Sequence, residues 1–311
     1  MSFFFVVDEY TDVASSEEAG RLCDIVKDAL SNPTVPRPAG EWIGGEIARQ
    51  FWENSIKTGT PSFQRRFVET FGEYLDAVAE QAIDRNDSRV RNVETYLEIR
   101  RKTIGALPSF AVLEIHMNLP DYVFADPVIS RLMTLTVDMI ILCNDFCSYN
   151  VEQARGDDTH NIIRVLMDVH KTDIQGALGH VSNLHDQISQ EFLDLVGNVP
   201  KFGDPITDPE VSTFVDGLAN WVRANDCWSF ESHRYFGSRG VEIQETRVVE
   251  LLPKVKSLAA NQTGGERSIK TIGKYLITGV RGIPRLLYNM VFDFQRRQAK
   301  PLSPAATEIV V

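Results

Sequence analysis

Cysteine is scarce, and Cys23, Cys143, Cys147 and Cys227 form no paired framework. That argues against a disulfide-stapled scaffold and points to a reducing, cytoplasmic setting. Cys143 and Cys147 lie one helical turn apart, but no second pair at ligand spacing follows, so a zinc site is not expected. Long apolar runs are also missing, since none approaches the roughly 20 residues of a membrane-spanning helix. The start, Ser2-Phe3-Phe4-Phe5-Val6-Val7, lacks the basic region and small-residue cleavage site of a secretory leader. Positive charge is in deficit, with 32 Lys and Arg against 43 Asp and Glu and a net charge of −11. Sequence-independent nucleic-acid binding depends on Lys and Arg neutralising phosphates, so a nucleic-acid partner is not expected. A phosphorylated small molecule is still admissible, because bound metal ions can reverse the local charge. Alternating strand patterns, hairpin turns and internal repeats are absent as well.

What the chain does have is helical periodicity. With 43% hydrophobic residues in 311, it can bury a large core, in one large domain or two ordinary ones. Apolar residues at helical spacing predict helices over 16–29, 41–57, 62–83, 92–105, 108–117, 129–152, 161–169, 173–196 and 209–230, separated by turn-rich loops at 31–40, 153–160 and 200–209. The fold class is all-α. Phe63, Phe67, Phe71, Leu75 and Val78 recur at helical spacing and read as core.

Three polar constellations interrupt this apolar pattern. Asn144, Ser148 and Glu152 recur every four residues, which on a helix places an amide, a hydroxyl and a carboxylate on one stripe. Such oxygen ligands suit a hard divalent cation such as Mg2+; the stripe also reads as a solvent-facing polar edge. Asp8, Glu9 and Asp12 form an acidic cluster one turn long, at the end of the opening apolar run. Crowding raises carboxylate pKa values unless cations intervene, so the cluster favours metal occupancy. Arg100, Arg101 and Lys102 crowd the last turn of a helix that Gly105 can close, where cations complement the helix dipole. A buried guanidinium there would be a bidentate diphosphate ligand.

Taken in order, Asp8-Glu9-x2-Asp12, an arginine before a helix-breaking glycine, Asn144-x3-Ser148-x3-Glu152 and Arg234-Tyr235 resemble the motif series of the class I terpene synthases. The likeness is to fungal sesquiterpene cyclases related to protoilludene synthases, and it runs from about Asp8 to Pro253. It implies the all-α isoprenoid synthase bundle, farnesyl diphosphate as substrate, a trinuclear Mg2+ cluster, and a homodimer as one expected assembly. By position, Asp8 would ligate metal on one wall with Glu9 and Asp12 in support, and Asn144, Ser148 and Glu152 would hold another ion on the facing helix. Arg101, four residues before Gly105, matches the diphosphate-sensing arginine, and Arg234 with Tyr235 matches the closing pair. Phe5 and Trp228 match positions where aromatic rings line the cation pocket.

Three features depart from the family pattern. Seven residues precede Asp8, so the expectation is a cyclase domain over 1–253 lacking its first helices. Val151 stands where many relatives have a lysine. The segment 254–311 carries ten Lys and Arg against three acids. It reads either as a basic amphipathic extension for a membrane or partner, or as one without packed structure. The short N-terminal wall leaves open a relative that binds diphosphate or a partner without turnover. A chain-elongating prenyltransferase would call for a second aspartate-rich motif in place of Asn144 to Glu152.

Overall fold

A computed structural model describes residues 2–87, 89 and 91–255. Twelve α-helices and no strand occur among the described residues. They are α1 (Ser2–Thr11), α2 (Ser16–Ser31), α3 (Ile43–Ser55), α4 (Pro61–Asn86), α5 (Val93–Thr103), α6 (Ala106–Ala111), α7 (Asp121–Phe124), α8 (Pro127–Arg155), α9 (Ile162–His170), α10 (Ile174–Val196), α11 (Thr207–Glu231) and α12 (Gly240–Thr246). The starts are set chemically. Ser15, Thr60, Asn92, Asp126, Asn161 and Asp173 each accept a backbone N–H from the first turn of the helix that follows. Pro61 and Pro127 sit at the first helical positions, where no N–H is needed.

Helix α8 is the axis, packed by α5, α6, α7, α9, α10 and α11. Leu132, Leu135 and Ile141 on it are fully buried and join Phe110, Phe214, Ile163 and Val165 in the main core. By length and composition α8 could cross a membrane, contrary to the expectation of no such run. Its apolar surface is used instead inside the bundle, where 61% of the most apolar window is buried.

A second core is aromatic. Phe63, Phe67 and Phe71 of α4 meet Trp52 of α3 and Phe3 of α1, with Phe67 stacked on Trp52 at 4.9 Å and Phe71 on Phe3 at 5.1 Å. This core seats α1, and therefore the acidic cluster, on α4.

The break between α5 and α6 is two residues long, Ile104 and Gly105. Gly105 lies in the left-handed region at φ +70°, and a Cβ there would meet the Phe4 ring at 3.2 Å. The helix expected from 108 accordingly starts at Ala106 and ends at Ala111, in a 3-10 turn through Glu114.

After α12 the segment 248–255 lies along the last turns of α8. Asn150 and Gln153 donate their side-chain amides to the carbonyls of Glu250 and Leu252, both at 2.8 Å. Leu252 N–H donates back to Asn150 Oδ1 at 2.8 Å, and Val255 N–H to the Ala154 carbonyl at 2.7 Å. The rest of the basic segment 254–311, from residue 256 on, lies outside the described residues.

Phe67 is fully buried and touches four aromatic neighbours. Phe67→Ala is expected to destabilise the chain by about 3–5 kcal/mol, read from the urea unfolding midpoint.

Candidate active site

A cavity of about 350 Å³ opens between α1, α4, α5, α8 and the turn after α11. One wall carries Asp8, Glu9 and Asp12; the facing wall carries Asn144, Ser148 and Glu152. Arg100, Arg234, Tyr235 and Phe5 line the same space. The structure thus brings together most of the residues singled out from sequence.

The acidic wall is the last turn of α1 and the residue after it. Arg85 of α4 fixes that end, donating from one nitrogen to the carbonyls of Thr11 at 2.9 Å and Ala14 at 3.0 Å. The opposite wall is the C-terminal third of α8. Asn144 accepts from Arg100 at 2.7 Å and donates to the Tyr235 hydroxyl at 2.8 Å. Glu152 accepts from Asn161 at 2.9 Å.

Arg234 and Tyr235 arrive from a turn in which His233 adopts φ +64°. This left-handed residue ends the run of α11 and aims the next two side chains inward. Arg234 comes within 3.7 Å of Asp8 and 3.5 Å of Glu9, and its guanidinium lies 4.8 Å from the centre of the Phe5 ring. Phe5 stacks on Trp228 at 5.4 Å and 13°, joining α1 to α11. Trp228 therefore stands behind Phe5 and is not among the lining side chains, where the resemblance had put it.

Arg101 also needs correction. It forms a two-pronged pair with Asp138 at 2.7 and 2.9 Å, is 34% exposed, and does not line the cavity. Arg100 occupies the cavity instead. The reason is helical register: Tyr96, Ile99 and Thr103 are the buried residues of α5, and Arg100 falls within that stripe while Arg101 falls beside it. The i, i+3, i+4, i+7 pattern was legible in the sequence.

Two site residues went unnoticed. Asp145, 1% exposed, accepts from Arg100 at 2.9 and 3.0 Å, from the Ile162 N–H at 3.0 Å and from the Tyr96 hydroxyl. Asn161, fully buried, bonds to α8 while capping α9. His160 also lines the cavity, and burial, reinforced by Arg100, Arg91 and Arg85, keeps its imidazole neutral by pushing its pKa well below the usual range.

The acidic groups are held against their preference to ionise. Burial, and then the Asp145 charge, push Glu152 up to about 7. Desolvation in the cleft, and then Asp8, push Asp12 up to about 7, and burial raises Asp8 despite Arg100 and Arg234. Burial pushes the Tyr235 phenol up to about 12, so it remains protonated. No three His, Cys, Asp or Glu side chains converge as a ready metal site among the described residues. The cysteine pair at Cys143 and Cys147 is simply buried. The donor set of amide, hydroxyl and carboxylate on one wall and carboxylates on the other nonetheless fits a hard divalent cation that also takes ligands from substrate. Carboxylates whose burial is not offset by fixed cations are what such an ion would satisfy.

A carboxylate with a raised folded pKa favours the fold when protonated. Metal-free protein should therefore lose stability as pH rises from about 4.5 through about 7, by at most about 3 kcal/mol for Glu152. Melting temperatures in chelator at pH 5.5 and 8 should differ less in Glu152→Gln than in wild type. Asp145→Ala leaves the Arg100 charge buried and is expected to destabilise by about 3–5 kcal/mol in urea unfolding.

Residues 1–191 match the family model described as terpene synthase family 2, C-terminal metal binding. The chain is 52% identical over 253 residues to a Delta(6)-protoilludene synthase of Stereum hirsutum, a span of 81% of this chain and 69% of that protein. It is 53% identical over 257 residues to the Delta(6)-protoilludene synthase of Armillaria gallica, covering 83% and 74%. Among solved structures, the SVS_A2 protein from ancestral sequence reconstruction superposes with a TM-score of 0.60 at 25% identity, over 71% of this chain and 65% of that one. A linalool/nerolidol synthase from Streptomyces clavuligerus shares the fold, with a TM-score of 0.64 at 21% identity over 73% and 78%. With a metal-binding family domain spanning both polar walls and identity above one half to fungal cyclases, the chain belongs to the class I terpene synthase family, as a terpene cyclase of the fungal sesquiterpene synthase branch.

Proposed function

We propose that the chain uses Mg2+ to ionise and cyclise farnesyl diphosphate, releasing diphosphate and a sesquiterpene. The observation that carries this reading is the pairing of two oxygen-ligand walls across one cavity that also holds Arg100, Arg234 and Tyr235. Asp8, supported by Glu9 and Asp12, would hold metal on one side, and Asn144, Ser148 and Glu152 on the other. When bound, Mg2+ supplies the positive charge that makes diphosphate an adequate leaving group.

The chain's own residues do the rest. Arg100 is fixed by Asp145 before any ligand enters, so its donors need no reorganisation. Arg234 sits loosely on Asp8 and Glu9, at distances an incoming diphosphate can outcompete. Tyr235 accepts its hydrogen bond from Asn144, which frees the phenolic O–H to donate to the anion. The aromatic faces of Phe4, Phe5 and Tyr74 line the cavity and can each stabilise an allylic cation by roughly 0.5–2 kcal/mol. The Phe5–Trp228 stack joins α1 to α11 beside the cavity and limits the water that would quench that cation.

The purified chain with farnesyl diphosphate and Mg2+ should give a cyclic hydrocarbon by gas chromatography, and Delta(6)-protoilludene is the first product to look for, given the relatives. Metal-dependent diphosphate binding with no volatile product would replace turnover by binding alone. Arg100→Ala and Arg234→Ala are each expected to lower kcat by about 10²-fold or more, whereas Arg101→Ala should stay within about tenfold of wild type.

A further inference from the structure

Asn161 is a fully buried polar side chain that touches both α8 and the start of α9. Its two ends do different jobs. The carbonyl Oδ1 accepts the Ile163 N–H at 2.9 Å and caps α9. The amide Nδ2 points the other way, to the Asp145 main-chain carbonyl at 2.8 Å, the Glu152 carboxylate at 2.9 Å and the Ser148 hydroxyl at 3.4 Å. Two of the three polar side chains of the α8 stripe therefore share one donor, and that donor is anchored to α8 and α9 at once.

A planar amide held at both ends has no freedom to follow a carboxylate, so the carboxylate must follow it. Asn161 engages Glu152 through Oε2. The Ser148 hydroxyl lies on the same amide at 3.4 Å, so the pair is set as a unit. The adjacent Ile162 N–H to Asp145 keeps the segment seated on α8.

We propose that Asn161 is a positioning residue for the divalent metal, fixing Ser148 and Glu152 in their ligating orientation without touching the ion. This rests on the reading of Asn144, Ser148 and Glu152 as ligands. Outer partners of this kind change metal affinity by about 10- to 100-fold when removed.

Serine and threonine cap a helix start about as well as asparagine but cannot reach Glu152 from position 161. Asn161→Ser and Asn161→Thr thus separate the cap from the reach. The full chain would be titrated with Mg2+ in the presence of inorganic diphosphate by calorimetry, beside Glu152→Gln. The metal-free melting temperature of each variant would be recorded. The expected result is Mg2+ binding weakened about 10- to 100-fold in whichever of the two folds, with the metal-free melting temperature near that of wild type and turnover recovered at higher Mg2+. Wild-type affinity in a folded Asn161 variant, with binding lost in Glu152→Gln, would overturn the positioning role and leave the ligand reading intact. Wild-type affinity in Glu152→Gln would overturn the ligand reading, and the proposal with it. Failure of both Asn161 variants to fold, or a metal loss no larger than in a chain equally destabilised by Asp173→Ala at the α10 cap, would reduce Asn161 to a structural cap and overturn the proposal.

Discussion

The buried pair of Asp145 and Arg100 is the constraint on which the site depends. A carboxylate at 1% exposure is tolerable only when its lone pairs are filled, and four donors from two neighbouring elements fill them: Arg100 twice and Tyr96 from α5, and Ile162 from the start of α9. Satisfying that one group fixes the distance between α5, α8 and α9. It also fixes Arg100, whose remaining donor capacity is turned toward Asn144 and the cavity. A structural ion pair and a functional cation are thus the same guanidinium, and neither role can be changed alone.

Around that pair the two acidic walls are held from behind through backbone carbonyls and side-chain amides. Arg85 grips the carbonyl end of α1, Asn161 the Ser148 and Glu152 side chains, and the 248–255 segment the outer side of α8 through Asn150 and Gln153. Backbone carbonyls and amides serve here because they position without neutralising. A fixed Lys or Arg on each carboxylate would stabilise the free protein but would compete with a divalent ion for the same oxygens. The raised pKa values of Glu152, Asp8 and Asp12 express that incomplete compensation.

Much of this was legible in the sequence because it follows periodicity. The helices, the central run that became α8, and the stripe of Asn144, Ser148 and Glu152 depend on steps of four along one helix. The terminal Arg234-Tyr235 pair was legible only by resemblance, because its inward aim depends on a left-handed His233 that no local pattern announces. Asp145 and Asn161 were illegible for a different reason. Each matters through contacts that span α5, α8 and α9, and a single sequence does not carry distances between helices.

The Arg100 and Arg101 exchange shows where local reading could have gone further. Spacing from Gly105 selected Arg101, and spacing from the buried residues of its own helix selects Arg100. The second criterion is the physical one, since a side chain reaches a cavity according to the face of the helix it leaves, and a helix turns about 100° per residue. Counting from a helix end carries an error of a residue or more, because ends fray and caps vary. Counting from a buried tyrosine one turn away does not, because Tyr96 at 1% exposure fixes which way α5 faces. The neighbouring Asp138 then explains why two adjacent arginines can coexist there: each has its own acid on α8, seven residues apart, so each guanidinium is compensated on its own side of α5 and only one of them meets the cavity.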